Sequence, residues 1–351
     1  MTNRELRSIR LPSDLHTAIA HALAAVAPAR WMHEAQVLSK HYRAAAAASE
    51  QPLPLGAPQA LGYAALIMPA TYAQLRGAMA ATAARIPGWA PTTLLDLGSG
   101  PGTALWAATA QWPSLRSLTA WEREPAFIVL GRTLARESAT AAVRDTRWER
   151  VDLRHPGPRR SQRYDLVVLG HVLNELPPEV QRAVVAYAWE LTAGVVLIVE
   201  PGTPAAFAVV RAARDQLLAA GARTIAPCAH DRPCPLANDW CHFPPRLIRP
   251  DFQRRARGAP SQWEDSKCAS AAMARFAPAR PIWGRVIREP ISTKAYAEVT
   301  ISGREGIARY RALKRYRAAF RLVKGLAWGA ALDEALPEPI EPIDQQRFPE
   351  P

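Results

Sequence analysis

LLDLGSGPGT, residues 94–103, reads as a short buried strand running into a turn with glycine at positions 98, 100 and 102. The helical pattern TALWAATAQW (103–112) follows at once. A glycine turn between a strand and a helix lets a ligand come close to the backbone and leaves N–H groups exposed at a helix N-terminus. Asp96 stands two residues before Gly98, so the spacing is D-x-G-x-G-x-G, and the chain contains no G-x-G-x-x-G. The turn therefore lacks the dinucleotide fingerprint.

From residue 93 onward short apolar runs alternate with amphipathic stretches. TLLDLG, SLTAWE, WERVDL, YDLVVLG and GVVLIVE predict buried strands. TALWAATAQW, PAFIVLGRTLARESA, EVQRAVVAYAWELT and AAFAVVRAARDQLLAA predict the helices between them. Alternation of this length predicts an α/β fold with a doubly wound parallel sheet. Upstream, Ser13 or Asp14 is placed to cap HTAIAHALAAVA, and Pro28 breaks that helix. RWMHEAQVLSKHYRAAAAA follows, then a Pro-rich linker at 51–58 and a third helical stretch, ATYAQLRGAMAATAARI. After residue 226 the alternation stops. PIWGRVI and AYAEVTIS predict late strands, and ARYRALKRYRAAFRLVKGLAW predicts a basic helix. These shifts suggest a helical region at 1–90, a core at 91–226, a basic cysteine-bearing extension at 227–332 and an acidic, Pro-rich tail at 333–351.

Acids follow the glycine turn where a nucleoside ligand needs them. Glu122, in TAWERE, ends the second strand and can accept hydrogen bonds from two ribose hydroxyls. Asp152, in RVDLR, ends the third. LGHVLNELPP brings His171, Asn174 and Glu175 to the carboxyl end of the fourth, the edge at which open parallel sheets bind ligands. Each residue alone has an ordinary reading: Glu122 as a solvated acid, Asp152 as a turn cap, His171 as packing. In this order they resemble class I S-adenosylmethionine-dependent methyltransferases. The resemblance implies a Rossmann-like fold with S-adenosylmethionine bound by Asp96, Gly98, Ser99, Gly100, Gly102, Glu122 and Asp152. His171 and Asn174 are the candidates nearest a reacting methyl group. Some amino-group methyltransferases place Asn or Asp, two prolines and an aromatic here. NELPPE has Asn174 and Pro177-Pro178, but Glu175-Leu176 intervene and no aromatic follows. The methyl acceptor therefore stays unidentified, and an RNA methyltransferase stays one option among others.

Composition narrows the class. The chain has 351 residues, 49% hydrophobic and 21% charged, as expected of a soluble globular protein. No apolar run approaches the roughly 18 residues of a membrane span. Glu5 and Asp14 and the lack of an apolar signal core lead us to expect a cytoplasmic protein with no membrane partner. The formal net charge is +13, and residues 244–325 hold 19 Arg or Lys against six Asp or Glu. One block carrying the whole imbalance is the footprint of a phosphate-backbone binder, here RNA, although solvated surface is its commonest other origin.

Three of the four cysteines lie in CAHDRPCPLANDWCHF (228–243), spaced C-x5-C-x6-C, and Cys268 follows 27 residues later. In a reducing compartment clustered thiols favour a metal over disulfides. Zinc ribbons favour closer cysteine pairs, so zinc would enlist His230 or His242. Wide spacing with Pro233 and Pro235 between suits an iron–sulfur cluster, and four small buried thiols remain the plain alternative.

APCAHDRPCPLANDWCHF (226–243) resembles the cysteine stretch of the methyltransferase-like factors of the small ribosomal subunit, a family with mitochondrial, yeast and bacterial members. LSKHYR (38–43), YAALIMPATYA (63–73), IVEPGTP (198–204), WEDSK (263–267) and the basic stretch ending in Trp328-Gly329-Ala330 resemble other segments of the same family. The resemblance implies association with the small subunit and its RNA during assembly, and a 4Fe-4S cluster with Cys228, Cys234 and Cys241 as three ligands. In the family the fourth sits in a strand that EVTISGREG (298–306) resembles, where this chain has Ser302. Cys268 takes the place of a family aromatic and is the alternative fourth ligand. Off the ribosome the chain is expected to be monomeric.

Overall fold

The computed structural model describes residues 8–45, 56–155, 160–236 and 238–343. The predicted linker falls outside them up to residue 55, as does the tail from 344. Four helices precede the sheet: α1 (Ser13–Ala24), α2 (Pro28–Ala45), α3 (Ala57–Leu66) and α4 (Met68–Ala83). Pro28, Pro58 and Pro69 stand in the first turns of the last three, where a missing N–H costs nothing. The sequence shows one helix where the structure has the pair α3 and α4, which meet at Ile67. Every residue of α4 from Met68 to Leu75 is buried, so no polar face marks its start.

The core follows the expected alternation: β1 (Thr93–Leu97), α5 (Thr103–Gln111), β2 (Ser117–Glu122), α6 (Pro125–Arg136), α7 (Ala141–Arg144), β3 (Arg147–Arg150), β4 (Tyr164–Gly170), α8 (Pro178–Glu190), β5 (Thr192–Pro201), α9 (Pro204–Ala219) and β6 (Arg223–Ala226). A two-stranded ribbon, β7 (Arg246–Ile248) and β8 (Trp263–Asp265), encloses α10 (Asp251–Arg257) and pairs with Ile9. Next comes β9 (Cys268–Ala274), which returns to the core. The main sheet runs β3-β2-β1-β4-β5-β9-β6, with β3 to β5 parallel and β9 antiparallel to both its neighbours. The chain reverses direction of growth between β1 and β4, which opens a crevice at their carboxyl ends. Leu94, Val168 and Leu197 pack on one face with α4, α5 and α6, while Leu95, Val167 and Ile198 pack on the other with α8 and α9.

The core thus does not end at residue 226. CASAAMA carries no β-branched or aromatic residue and no alternation, so nothing local marks it as a strand. It is a strand because the gap between β5 and β6 demands one. Small side chains suit that gap, where Ala269, Ala271, Ala272 and Ala274 are all buried.

A second, antiparallel sheet follows: β10 (Gly284–Val286), β11 (Ile291–Ser292), β12 (Tyr296–Gly303), β13 (Gly306–Leu313), β14 (Ala331–Leu332) and β15 (Glu341–Ile343). Its order is β14-β10-β12-β13-β15, with β11 also on β12. Helix α11 (Arg317–Gly325) packs Ala319 and Val323 against its core of Val286, Val299 and Ile301. β10 falls within the first of the two late strands expected, and β12 matches the second but runs one residue further, to Gly303. The long basic helix does not form as expected: residues 306–313 are strand, and only 317–325 are helical. Arg309 and Arg311 share one face of β13 with Glu298 of β12 between them, a period-two pattern hidden by good helix formers.

Candidate functional site

The glycine turn leaves β1 at the crevice. Gly98 and Ser99 donate their amides to Trp121 O at 2.9 and 3.0 Å, which ties the turn to the end of β2. Gly98 has φ +70, and a Cβ there would lie 2.4 Å from Val172 Cγ2, so this glycine is required by packing as well as by conformation. Gly100 differs. Its φ is +54, yet a Cβ would meet only the Tyr63 hydroxyl, at 4.0 Å. The backbone at Gly100 thus faces open space, roofed by a tyrosine from α3. Gly102 starts α5, and Ser99 is buried beside it.

Glu122 reaches across to this turn. Its Oε2 accepts the Gly100 amide at 2.7 Å, and its Oε1 accepts the amides of Arg123 and Glu124 at 2.8 Å each. Burial still raises its pKa, against those three bonds. Asp96 is 2% exposed, and its Oδ2 has no partner among the described residues. Burial, then the nearby Glu122, lifts its pKa to about 8. An unpaired buried carboxyl at a ligand crevice is a polar group awaiting a partner. Asp152 accepts the Arg154 amide at 3.0 Å, the ordinary turn-capping contact.

The lip after β4 carries the remaining candidates. His171 is the one non-glycine described with positive φ (+61), its amide donates to Val199 O at 2.8 Å, and its Nε2 is unpartnered. Burial lowers its pKa to about 4, so the ring is neutral at physiological pH. Asn174 is exposed. Glu175 beside it is exposed as well. Sequence reasoning missed Glu200, at the end of β5: fully buried, it accepts the Leu173 amide at 2.8 Å and so holds the lip in place. Its pKa rises to about 8 through burial. An acid within the apolar run GVVLIVE was the signal available. Tyr63 was missed because its place over the turn depends on how α3 docks.

The thiols are a second centre. Cys228, Cys234 and Cys241 line one pocket, together with Ser302, Arg214 and Arg285. Cys268 is not on that pocket. Its backbone bridges to Phe243, its Sγ lies 3.6 Å from Phe243 O, and it packs in the core with Ala272. Among the described residues no three His, Cys, Asp or Glu side chains are grouped closely enough to hold one metal ion. The surroundings of the pocket are cationic. Arg285, 5% exposed, donates to the carbonyls of Pro227 (2.5 Å) and Gly329 (2.8 Å), and Arg214 donates to those of His230 and Arg232. Burial lowers Arg285 to about 10 and raises the Cys228 and Cys241 thiols. Two buried guanidiniums bonded mainly to neutral carbonyls favour an anionic occupant. His230 and His242 stand apart from the pocket lining; His242 packs between Trp240 and Trp328.

A 3-2-1-4-5 parallel sheet completed by an antiparallel strand, with an acid–glycine turn at its crevice, defines a class I methyltransferase fold. A family model described as mitochondrial small ribosomal subunit Rsm22 matches residues 57–333. The chain belongs to this family. It is 27% identical over 284 residues to the human mitochondrial ribosome assembly protein METTL17, a match covering 75% of this chain and 60% of that protein. Among solved structures, magnesium protoporphyrin IX methyltransferase of Synechocystis PCC 6803, with bound S-adenosylmethionine, has a TM-score of 0.39 at 11% identity, covering 69% of this chain and 97% of that one. An O-methyltransferase family protein from Burkholderia thailandensis has a TM-score of 0.42 at 17% identity, covering 55% and 67%. No described helix is long and apolar enough to cross a membrane.

Proposed function

We propose that the chain is an S-adenosylmethionine-binding factor that associates with the small ribosomal subunit and its RNA during assembly. One observation carries the reading: within a family named for the small ribosomal subunit, this chain keeps an acid–glycine cradle with Gly100 open and Asp96 unpartnered. Carboxyls raised by burial are relieved by a cationic ligand, and S-adenosylmethionine carries a sulfonium and an ammonium. Bound there, it would supply an activated methyl group. Glu122, already fixed by three amides, keeps lone pairs for a ribose, and Asp96 sits beneath it. Methyl transfer needs alignment more than acid–base chemistry. The lip offers neutral His171 and exposed Asn174 but no aromatic to orient an acceptor, which favours a cofactor-binding scaffold over a methylating enzyme.

The same proposal includes an iron–sulfur cluster on Cys228, Cys234 and Cys241. A cluster binds each thiolate through a different iron, so it tolerates wider thiol separation than one zinc ion does. The buried arginines suit its negative charge, and Ser302 occupies the pocket where a fourth ligand would stand. A cluster would tie residues 228–241 to the second sheet.

Calorimetric titration with S-adenosylmethionine tests the first part: binding by wild type and none by Gly100→Arg supports it, and no binding by wild type overturns it. Labelled-methyl transfer to immature small-subunit particles then separates enzyme from scaffold. For the cluster, anaerobically purified protein should absorb in the visible and contain iron and sulfide, and Cys234→Ser should bleach it. A colourless protein would overturn that part alone.

A further inference from the structure

We infer that a strip of unpaired cations around Tyr316 binds single-stranded RNA, stacking an unpaired base on that ring. The inference rests on the RNA-binding reading above and narrows it to one surface and one strand state. Several cations of the basic block are held by acids. Arg246 is paired with Asp265, Arg249 and Arg257 with Glu264, Arg280 with Asp333, Arg288 with Asp239, and both Arg309 and Arg311 with Glu298. Lys314, Arg315, Arg317, Arg321 and Lys324 are all exposed and make no ion pair among the described residues. No acid occurs from residue 306 to 332 that could partner them locally.

Their placement is ordered. Ala319 and Val323 turn one face of α11 into the second sheet. Arg317, Arg321 and Lys324, spaced four and three apart, therefore share the opposite face. At the start of the helix Tyr316 is 37% exposed, with the Arg315 guanidinium 5.0 Å from its ring centroid. Exposed large apolar side chains are few on the described surface, and Leu322, 42% exposed, lies on this same helix.

Five cations within 11 residues repel one another until a polyanion neutralises them. Any RNA supplies phosphates. A regular duplex hides its base faces, whereas a single strand presents them to an aromatic ring, and Arg beside the ring adds a cation–π contribution. An exposed tyrosine set among unpaired cations matches the second kind of partner.

Fluorescence anisotropy tests this on the 351-residue chain, with labelled oligouridine and a blunt RNA duplex of equal nucleotide count, over a range of salt. Oligouridine should bind more tightly. Tyr316→Ala should weaken it by roughly five- to 150-fold with the salt slope unchanged, and Tyr316→Phe should retain it. Arg317→Ala, Arg321→Ala and Lys324→Ala combined should lower the slope by about two. Equal loss on both RNAs in Tyr316→Ala, or no loss on oligouridine, overturns the stacking while RNA binding stands. No binding of either RNA by wild type removes the parent reading and this one together.

Discussion

The crevice of the parallel sheet and the strip on the second sheet treat charge in opposite ways. At the crevice, acids are buried with little neutralisation: Asp96 and Glu200 each keep an unpartnered oxygen, and both are pushed up to about 8. On the second sheet Arg309 and Arg311 pair with the buried Glu298, while Lys314, Arg315, Arg317, Arg321 and Lys324 are exposed to water. Buried carboxyls without counter-ions suit a small cationic ligand that fills the crevice. Solvated cations without counter-ions suit a large polyanion that lies across a surface. One molecule thus presents two surfaces of opposite chemical character.

The sharpest way to break this contrast is at the turn. Gly98→Val should destabilise the fold by about 4 kcal/mol, since a branched side chain at positive φ also meets Val172 at 2.4 Å. Urea unfolding measures it, and a loss under 1 kcal/mol would show the turn to be loosely packed. Glu298→Ala comes next. Breaking a fully buried pair costs about 3–5 kcal/mol, but Arg309 and Arg311 are 27% and 40% exposed and can be hydrated, so about 2 kcal/mol is expected.

The pH dependence of the acids has a definite sign. A carboxyl whose pKa is higher folded than unfolded holds its proton more tightly in the native state. Stability therefore falls as pH rises from the ordinary value of 4.5 toward 8 for Glu200, and from 3.8 toward 8 for Asp96, and levels off above. Glu200→Gln keeps an acceptor for the Leu173 amide and should be more stable than wild type at pH 8 by about 1–2 kcal/mol, with a shallower slope. Thermal melts across that range check it; an unchanged slope would mean the carboxyl is already ionised in the native state. Smallest of all, Gly100→Ala should cost only about 1 kcal/mol of stability, because the site is open and conformation alone resists. Its loss of S-adenosylmethionine affinity should exceed that cost.

What could be read in the sequence followed the range of the forces involved. The strand–turn–helix at 94–112 is local: glycine spacing, Asp96 and apolar runs all lie within one unit, and Glu122 follows at the next strand end. β9 is the reverse case, since nothing in CASAAMA prefers a strand and only the neighbours β5 and β6 make it one. Within Ala308–Trp328 the expected helix forms only from Arg317, because Ala, Leu, Lys and Arg obscure a two-residue alternation satisfied by Glu298. The three thiols at 228–241 share a pocket as their clustering implied. Cys268, nearby in sequence, points into the core instead, because its strand register places it opposite Pro201 and its backbone bridges to Phe243.

The late arrival of β9 also sets an order of events on the ribosome that makes this chain. β6 pairs with β9 alone, and β9 is synthesised only after the whole cysteine stretch and the ribbon have followed. Until then β5 is the edge of the sheet and β6 has no strand partner, and a chain shortened before Cys268 would keep both in that state. Pairing of β9 anchors both ends of the thiol-bearing loop at once, so the loop is gathered by the same step that finishes the sheet.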